Sequence, residues 1–487
     1  MVSSTVTSNI PDVLLQDLAQ IVGSARLLSS RDELLVYECD GYVVEKNVPD
    51  VVVFPQTADE VRRIVLACLK HNVPFVPRGA GTSLAGGCLP VGGGVMIALT
   101  KMNEILDINL RDRYAVVQPG VVNLNLTRAL AGSGFHYAPD PSSQGACTIG
   151  GNIGTNSGGP HTLKYGVTVN HVLGVEFVSP EGRIVHFGGP CGRGDELDLT
   201  GLFVGSEGTF GIVTKIWVRI TRNPEAYRTM LAVFDSTDDT SRAISNIIGA
   251  GIVPAALEMM DQGIIVALED AFSFGFPLDA AAVLLIEVDG LDVGLDQEAQ
   301  TITDLCTESG AREVRLSQTE EERALLWKCR KQAFGAIGRL APSYCTQDGV
   351  VPRTRLPEIL NFIADVGKRY ETQIVNVFHA GDGNLHPILM FDERDREQVQ
   401  KVMAASDEIL EKCIELGGSV TGEHGIGVEK ISFMNRLFTD SDLNVMEDVR
   451  RVFNPEGQCS PGKLLPTAGA CGMEHIERVH PGRQAAM

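Results

Sequence analysis

Between residues 51 and 100, the grouping of apolar and polar positions predicts a series of short elements. Residues 51–54, 74–77 and 95–99 are apolar runs of the length typical of buried strands. After the first run, apolar residues recur at helical spacing, and Thr57 followed by Glu60 matches the capping box that begins many helices. The predicted order is therefore strand, helix, strand, loop, strand.

The loop of residues 78–87 is the first of several glycine clusters in the chain. In Rossmann and Walker A sites the glycine loop opens a helix that faces the phosphates, whereas here a strand follows the loop. Successive N–H groups from Gly79 to Ser83 could still cradle a pyrophosphate as an anion-binding nest. A plain tight turn explains the same residues equally well, so both interpretations stay open.

Further along, the pattern predicts a strand at 114–121, a helix at 124–130, a hairpin of 172–179 with 184–187, and a strand at 212–220. The glycine-dense segment 139–159 predicts neither helix nor strand. After Pro224 the chain changes to β-rich stretches such as 281–288 and long amphipathic helices such as 397–416. A domain boundary near residues 222–228 is the simplest interpretation.

Composition narrows the class of protein. A chain of 487 residues predicts roughly two or three domains. Its net charge of −21 argues against nucleic acid or an anionic membrane surface as a partner. No apolar stretch reaches the about 18 residues of a transmembrane helix, and the first residues do not resemble a signal peptide, so we expect a cytoplasmic protein. The eleven cysteines contain no Cys-x-x-Cys pair, which favours reduced thiols over a disulfide, zinc or iron–sulfur framework.

Two histidines give the sharpest local signal. His379 and His386 flank the turn sequence Ala-Gly-Asp-Gly-Asn-Leu, and apolar runs lie on both sides, which predicts a β-hairpin. Directly paired residues on one face of a hairpin have Cβ atoms about 5 Å apart. If His379 and His386 face each other in this way, their imidazoles can share one metal ion.

The later loop Gly422-Glu423-His424-Gly425 offers the remaining groups. We assign Glu423 to the metal, which gives two histidines and one carboxylate with open positions, and His424 to proton transfer. The competing interpretation is that the hairpin histidines only hydrogen-bond within a turn and that the loop only ends a helix. A zinc hydrolase is another alternative, but its helical His-Glu-x-x-His motif is absent.

Taken together and in this order, five motifs resemble the FAD-linked oxidases of the vanillyl-alcohol oxidase / p-cresol methylhydroxylase superfamily. Within it, the chain is most similar to the FAD-binding subunits of glycolate oxidase and to the D-lactate and D-2-hydroxyglutarate dehydrogenases. The motifs are Pro77-Arg-Gly-Ala-Gly-Thr-Ser83, Thr148-Ile-Gly-Gly-Asn152, Gly205-Ser-Glu-Gly-Thr209, His379-Ala-Gly-Asp-Gly-Asn-Leu-His386 and Gly422-Glu-His-Gly425.

The resemblance implies an α+β fold with a two-subdomain FAD-binding domain of the p-cresol methylhydroxylase type, an α+β cap domain, and a C-terminal segment that returns to the FAD domain. The implied boundaries are an N-terminal segment at 1–30, the FAD-binding domain at 31–224, the cap domain with substrate and metal at 225–425, and the returning segment at 426–466. Residues 467–487 are expected to form a flexible tail.

The same resemblance implies the FAD contacts. Residues of the first glycine loop would wrap the pyrophosphate: Arg78, Gly79, Ala80, Gly81, Thr82 and Ser83. Residues of the later loops would line the adenine and flavin portions: Pro139, Thr148, Gly150, Gly151, Asn152, Asn156, Gly158, Glu207, Gly208 and Ile212. Thr82 stands where some relatives carry a histidine that attaches FAD, so non-covalent FAD is expected.

In this branch of the family the substrate would be a small 2-hydroxy acid. A divalent metal, Zn or Mn/Fe, would be held by His379, His386 and Glu423 and would polarise the substrate hydroxyl as a Lewis acid. His424 would take the hydroxyl proton while the hydride on the α-carbon passes to flavin N5. Arg330 matches the family's carboxylate-binding arginine, whose planar fork suits bidentate pairing, although a solvated helix arginine is the alternative.

Two departures bear on substrate size. Relatives that oxidise hydroxyglutarate carry a lysine near the position of Thr346 and an asparagine at the position of Ile388, so a second carboxylate would lack partners here. D-lactate or glycolate is therefore favoured. Lys463 could approach the flavin, but an exposed turn lysine is the favoured interpretation.

Two other functions stay open. One is a non-redox flavoenzyme similar to alkylglycerone-phosphate synthase, which would need cations for a substrate phosphate. The other is a flavin subunit that works only with an iron–sulfur partner. The electron acceptor, whether an iron–sulfur subunit, a quinone, a soluble carrier or oxygen, is not determined by the sequence, and a partner could place the chain at the membrane periphery.

Overall fold

A computed structural model describes residues 10–191 and 197–466 as an α+β protein with three main sheets. The predicted tail at 467–487 and the first nine residues of the N-terminal segment lie outside the described residues. Within the described ranges, no helix is both long and apolar enough to cross a bilayer.

The first sheet confirms the order predicted for residues 51–100. Strands β2, β4 and β3 run parallel, β1 pairs antiparallel with β2, and the sheet order is β1-β2-β4-β3. The Thr57 hydroxyl accepts the Glu60 N–H and caps α3, as the capping pattern predicts. The elements are α1 (Asp12–Val22), β1 (Leu27–Leu28), α2 (Arg31–Leu34), β2 (Val51–Val53), α3 (Ala58–His71), β3 (Phe75–Arg78) and β4 (Val95–Ala98).

The second sheet is antiparallel, in the order β5-β6-β10-β8-β9, and it contains the predicted hairpin as β8 and β9. Two short strands, β7 and β11, pair beside it. The elements are β5 (Ile105–Asn109), β6 (Tyr114–Val117), α4 (Asn123–Ala129), β7 (Phe135–His136), α5 (Ile149–Thr155), α6 (Thr162–Tyr165), β8 (Val172–Val178), β9 (Ile184–Gly188), α7 (Leu199–Phe203), β10 (Ile212–Arg219) and β11 (Thr221–Arg222).

Helix α5 contradicts the expectation that 139–159 is irregular throughout. The Thr148 hydroxyl accepts the Gly151 N–H and caps the helix. Gly150 packs so closely on Pro119 that a Cβ there would lie 2.5 Å from the Pro119 Cβ. Glycine disfavours an isolated helix, but here tertiary contacts that only glycine admits outweigh the low propensity.

The third sheet begins at Ala226 and carries the second half of the chain. Its main path is β15-β12-β14-β13-β18-β19-β17, and β20 joins β18 to β16. The elements are β12 (Ala226–Phe234), α8 (Thr237–Gly249), β13 (Ala256–Asp261), α9 (Gln262–Phe272), β14 (Ala282–Gly290), α10 (Leu295–Glu308), β15 (Ala311–Leu316), α11 (Glu320–Ile337), β16 (Ser343–Thr346), β17 (Gly349–Val350), α12 (Leu356–Tyr370), β18 (Ile374–His379), β19 (Asn384–Leu385), β20 (Pro387–Phe391) and α13 (Arg396–Glu415).

The last described segment contains α14 (Met434–Leu437) and α15 (Asp440–Phe453) and lies against the first two sheets. The backbone of Cys459 forms an isolated parallel β-bridge with Phe75 of β3. The ring of Phe453 stacks on Phe210 with centroids 4.3 Å apart. Short 3₁₀ turns complete the described chain at Ser24–Arg26, Leu35–Tyr37, Leu99–Lys101, Thr168–His171, Arg353–Arg355 and Ile431–Phe433. The domain boundaries given above remain our proposal.

Candidate active site

A cavity of about 1700 Å³, including its open mouth, lies where the glycine loops meet the third sheet. Segments within residues 77–88, 141–157 and 203–213 form most of its wall. The second half of the chain contributes Lys331, Phe334, Tyr344, His386, Glu423 and His424. The glycine motifs and the histidine motifs, which are far apart in sequence, therefore face one space.

The two glycine loops touch each other at this wall. A Cβ on Gly79 would lie 2.6 Å from the Thr148 hydroxyl, so the first loop packs directly on the cap of α5. Most of the residues expected to hold FAD line the cavity: Arg78, Gly79, Ala80, Gly81, Thr82, Ser83, Thr148, Gly150, Gly151, Asn152, Glu207 and Gly208.

Four of the expected FAD residues are not part of the cavity wall. The Pro139 carbonyl accepts a hydrogen bond from Asn123, and Asn156 ends α5 in the left-handed conformation while its side chain accepts the Val169 N–H. Ile212 is fully buried in the core. The Gly158 N–H donates to the Glu423 Oε2 at 3.0 Å, so Gly158 belongs to the histidine site.

Glu207 lines the cavity, where we expected it to contact FAD, but its carboxylate is engaged by backbone N–H groups of the chain. It accepts the N–H groups of Ile426 and Gly427, each at 2.7 Å, and so ties the loop after His424 to the first half of the chain. Burial raises the pKa of Glu207, and these two hydrogen bonds oppose that rise.

His379 and His386 come together, but the predicted register is wrong. His379 pairs with Asn384 of β19, and Asn376 of β18 pairs with Pro387 of β20, so His386 lies between two strands with no direct partner. The ladder breaks there because β19 continues toward β17 whereas β20 turns to β16. The two imidazoles nevertheless meet edge to face, with centroids 5.1 Å apart.

The expected ligand triad is assembled. The His379 Nε2 lies 3.2 Å and the His386 Nε2 lies 3.5 Å from the Glu423 Oε1. One ligand atom from each of the three residues lies within 4.8 Å of the others. Neither ring nitrogen of His386 makes a hydrogen bond to any residue that the structure describes, although the ring is buried. Buried polar atoms are normally satisfied, so the donor set fits a divalent cation.

A second group of potential ligands, Asp348, His386 and His424, is equally compact. The Asp348 Oδ2, however, accepts the Thr421 hydroxyl at 2.6 Å and the N–H groups of Gly422 and His424 at 2.9 and 2.8 Å. This carboxylate is therefore engaged in shaping the loop that presents Glu423 and His424. Both groups share His386, so the carboxylates decide between them: the Glu423 Oε1 faces His379 and His386 at 3.2 and 3.5 Å, and the first group is the better candidate.

Glu258 orients the first ligand. It is fully buried on β13, and its Oε1 lies 2.7 Å from the His379 Nδ1. A carboxylate on the far nitrogen of a ligating histidine fixes its tautomer and raises its basicity. Burial would lower the pKa of His379, but the charges of Glu258 and Glu423 outweigh it and raise that pKa well above its usual value.

His424 faces the cavity beside the triad. Its ring stacks on His386 with centroids 4.9 Å apart, and its buried Nδ1 has no hydrogen-bond partner within the described residues. Burial lowers the pKa of His424 to about 4, with the opposing charge of Asp348 too weak to reverse it. The imidazole is therefore neutral near pH 7, as a proton acceptor must be.

Arg330 lies on α11 behind the cavity wall. Its side chain is 1% exposed, and its Nε and Nη2 lie 2.7 and 2.6 Å from the Glu258 Oε2. Arg330 is not among the residues that line the cavity, whereas the adjacent Lys331 is. Its contact with a substrate carboxylate therefore stays a prediction.

The interpretation of Lys463 as an exposed turn lysine is wrong. Its side chain is fully buried, and its Nζ has no hydrogen-bond partner in the described part of the chain. Burial lowers the pKa of Lys463 to about 8, opposed by Cys88 and Glu207. The closing turn of the chain thus folds back beneath the glycine loops instead of facing solvent.

Sequence reasoning missed Glu258, Asp348 and the buried Lys430. A single acidic residue inside the apolar run of β13 is a usable signal for Glu258, because an unpaired carboxylate rarely sits in a buried strand. Lys430 lies 3.8 Å from the Asp348 Oδ2 and is fully buried, but its position in the sequence resembles that of an ordinary surface lysine.

Comparison with known proteins identifies the family of the chain. Residues 49–188 match the FAD binding domain, and residues 223–464 match the C-terminal domain of FAD linked oxidases. The chain is 42% identical to the glycolate oxidase subunit GlcD of Escherichia coli over 97% of this chain and 96% of that protein. It is 30% identical to a D-lactate dehydrogenase of Anaerostipes hadrus, over 89% and 92% of the two chains.

Among solved structures, p-cresol methylhydroxylase with bound substrate superimposes with a TM-score of 0.78 at 17% identity, covering 93% of this chain and 96% of that one. This confirms the expected α+β fold of the p-cresol methylhydroxylase type. With the two domain matches and a relative that is 42% identical over 97% of this chain, the chain belongs to the family of FAD-linked oxidases.

Proposed function

We propose that this protein is an FAD-dependent dehydrogenase that oxidises a small D-2-hydroxy acid, D-lactate or glycolate, to the 2-oxo acid. The observation that carries the proposal is the shared cavity, which joins the FAD-type glycine loops to His386, Glu423 and His424. Relatives named as a glycolate oxidase subunit and a D-lactate dehydrogenase support the substrate class.

The chain's residues divide the chemistry. When bound, FAD would accept the hydride of the α-carbon, and a divalent ion would supply Lewis acidity. His379, His386 and Glu423 would hold that ion, and the loops around Arg78–Ser83 and α5 would hold FAD non-covalently. His424 would accept the hydroxyl proton, since it is the neutral imidazole that faces the cavity. Arg330, paired with Glu258, would orient the substrate carboxylate from behind the wall.

The substrate end of the cavity supports a small acid. Thr346 and Ile388 pair directly across β16 and β20, and both are buried, so neither offers a cation to a second carboxylate. Phe334 and Tyr344 line the cavity, and so does Lys331. A second carboxylate would lose hydration there without compensation unless it reached the Lys331 ammonium.

The decisive experiment is an anaerobic titration of the flavin-loaded protein with D-lactate and, separately, with glycolate, in the presence of Zn²⁺ or Mn²⁺. We expect one acid to bleach the oxidised flavin band and the L-isomer of lactate to leave it unchanged. If neither acid bleaches the band with metal supplied, the small-acid assignment is wrong and a larger hydroxy acid or a non-redox reaction takes its place.

A partner subunit is a second proposal, and the name of the E. coli relative as an oxidase subunit favours it. The ten described cysteines are all free. We infer that electrons leave the reduced flavin to an iron–sulfur subunit, a quinone or a soluble carrier. Turnover of the chain alone with an artificial acceptor, combined with no turnover with a soluble quinone, would support a missing protein partner.

Replacing Gly150 by alanine is expected to weaken FAD retention. The new Cβ would lie 2.5 Å from the Pro119 Cβ and 2.8 Å from its carbonyl oxygen, so α5, which forms part of the cavity wall, must shift away from Pro119. Overpacking of this kind costs about 1–3 kcal/mol. Flavin content after gel filtration and the melting temperature measure the effect. Gly145→Ala is the control, because no atom lies within 4 Å of its Cβ position, and equal losses in both variants would contradict the prediction.

A further inference from the structure

A polar seam joins the first half of the chain to α11, defined here by Asp140, His161, Glu287, Arg323 and Trp327. The His161 Nδ1 lies 2.9 Å from the Asp140 Oδ2, and its Nε2 lies 3.7 Å from the Glu287 Oε1. The imidazole also stacks on Trp327, with centroids 5.0 Å apart and planes 29° apart. No residue of this seam has a part in the chemistry proposed above.

At the centre of the seam lies a charged carboxylate, that of Glu287, whose hydrogen bonds are satisfied. Glu287 is fully buried, and it accepts the Trp327 indole N–H at 2.7 Å and two N–H groups of Arg323 at 2.8 and 2.9 Å. Burial would lower the pKa of His161, but Asp140 and Glu287 outweigh it and raise that pKa to about 10. His161 therefore acts as a cation placed between carboxylates from both halves of the chain.

Two routes lead from the seam to the candidate metal site. Along the chain, Gly158 lies three residues before His161 and donates its N–H to the Glu423 Oε2. Along α11, Trp327 lies three residues before Arg330, on the same helix face. Arg330 pairs with Glu258, and Glu258 in turn hydrogen-bonds to the first ligand histidine.

The two routes close into a ring, because His379 and Glu423 contact each other at 3.2 Å. A second contact across the same boundary lies beside this ring, since the Tyr165 N–H donates to the His161 carbonyl oxygen. Lys164 and Tyr165 both bind the side chain of Asp289, which lies on β14 beyond Glu287. The boundary thus offers the His161 contacts, which lead to Gly158 and Arg330, and a Lys164 contact, which leads to Asp289.

We propose that His161 is a positioning residue, whose contacts with Asp140, Glu287 and Trp327 hold Gly158 and Arg330 in place and thereby fix Glu423 and His379. The expected effect of His161 on flavin reduction rests on the proposed function, whereas its expected effect on the order of the 420–427 loop does not. The ring constrains both sides of the ligand pair at once, so loosening it at His161 removes one constraint on the loop that carries Glu423 and His424, in addition to those that Asp348 and Glu207 supply.

The test compares His161→Ala with Lys164→Met in the flavin-loaded full chain, with His161→Gln as the conservative variant. Hydrogen exchange of the peptide covering residues 420–427 is the first measurement, and it depends on neither metal nor substrate. We expect exchange in this peptide to rise at least about 10-fold in His161→Ala, to rise less in His161→Gln, and to stay at the wild-type level in Lys164→Met.

Binding of Mn²⁺ and anaerobic reduction by the hydroxy acid are measured in parallel. We expect His161→Ala to weaken Mn²⁺ binding about 10-fold and to slow flavin reduction while FAD is retained, because outer partners of metal ligands typically have effects of this size. Equal exchange in the His161→Ala and Lys164→Met variants would overturn the positioning role. A wild-type flavin that no hydroxy acid reduces, together with the expected exchange difference, would reject the proposed function and leave the positioning role intact.

Discussion

Replacing His424 by glutamine is expected to slow flavin reduction by D-lactate or glycolate by about 10²–10⁴-fold, the usual contribution of a general base. Glutamine keeps a polar side chain of similar reach but cannot take a proton. Since Glu423 and His379 keep their mutual contact, bound metal and bound FAD should remain at wild-type levels. Rapid-mixing absorbance at the flavin band, with metal analysis of the same sample, measures both parts.

A surface histidine provides the control. His186 is more than half exposed and lies far in sequence from the two histidine motifs at 379–386 and 422–425, so His186→Gln should leave the reduction rate unchanged. His386→Ala should behave differently from both, because it removes a ligand and should lose metal together with reduction. If His424→Gln reduces its flavin at the wild-type rate with metal present, the proton leaves through another group and the role of His424 is wrong.

Replacing Asp348 by asparagine is expected to cost about 3–5 kcal/mol of stability and to release the metal. Its fully buried carboxylate accepts hydrogen bonds from Thr421, Gly422 and His424 and lies 3.8 Å from the buried ammonium of Lys430. An amide presents N–H groups to donors and leaves that ammonium with one carboxylate beside it, Glu429 at 3.8 Å, where it now has two. The loop that carries Glu423 would then lose its anchor.

Asp382→Asn is the matched control for Asp348→Asn. Asp382 also lies near His379, but it is half-buried, and its carboxylate accepts a hydrogen bond from the Asn384 N–H, which an amide oxygen can accept equally well. Melting temperature and metal content should change strongly in Asp348→Asn and little in Asp382→Asn. Similar behaviour of the two variants would show that net charge, and not the anchoring of the loop, controls the site.

Local periodicity was sufficient for much of the fold. The distribution of apolar and polar positions in residues 51–100 predicted α3 and its flanking strands. Short parallel strands are apolar throughout, and the apolar positions of an amphipathic helix recur every three to four residues. The capping pattern at Thr57 placed the start of α3 at Ala58. These elements depend on contacts that are local or that any buried strand would make.

Local reasoning failed where long-range packing outweighs local preference. Helix α5 forms despite its glycines because Thr148 caps it and Pro119 packs against it. The register at His379 is set by β17 and β16, which hold β19 and β20 apart, and neither neighbour can be identified from the hairpin sequence. Lys463 is buried because the last segment returns to β3, a contact between residues nearly four hundred positions apart in the chain.

The sequence by itself determined which side chains could carry the chemistry: the glycine loops, His379, His386, Glu423 and His424 are recognisable because their residue types and spacing are unusual. Only the tertiary structure decided how they are supported. Glu258 reaches His379 across 121 residues of chain, and Asp348 organises a loop 73 to 76 residues away. A buried carboxylate is stable only where distant donors and cations converge on it, and that convergence is a property of packing, which no local pattern contains.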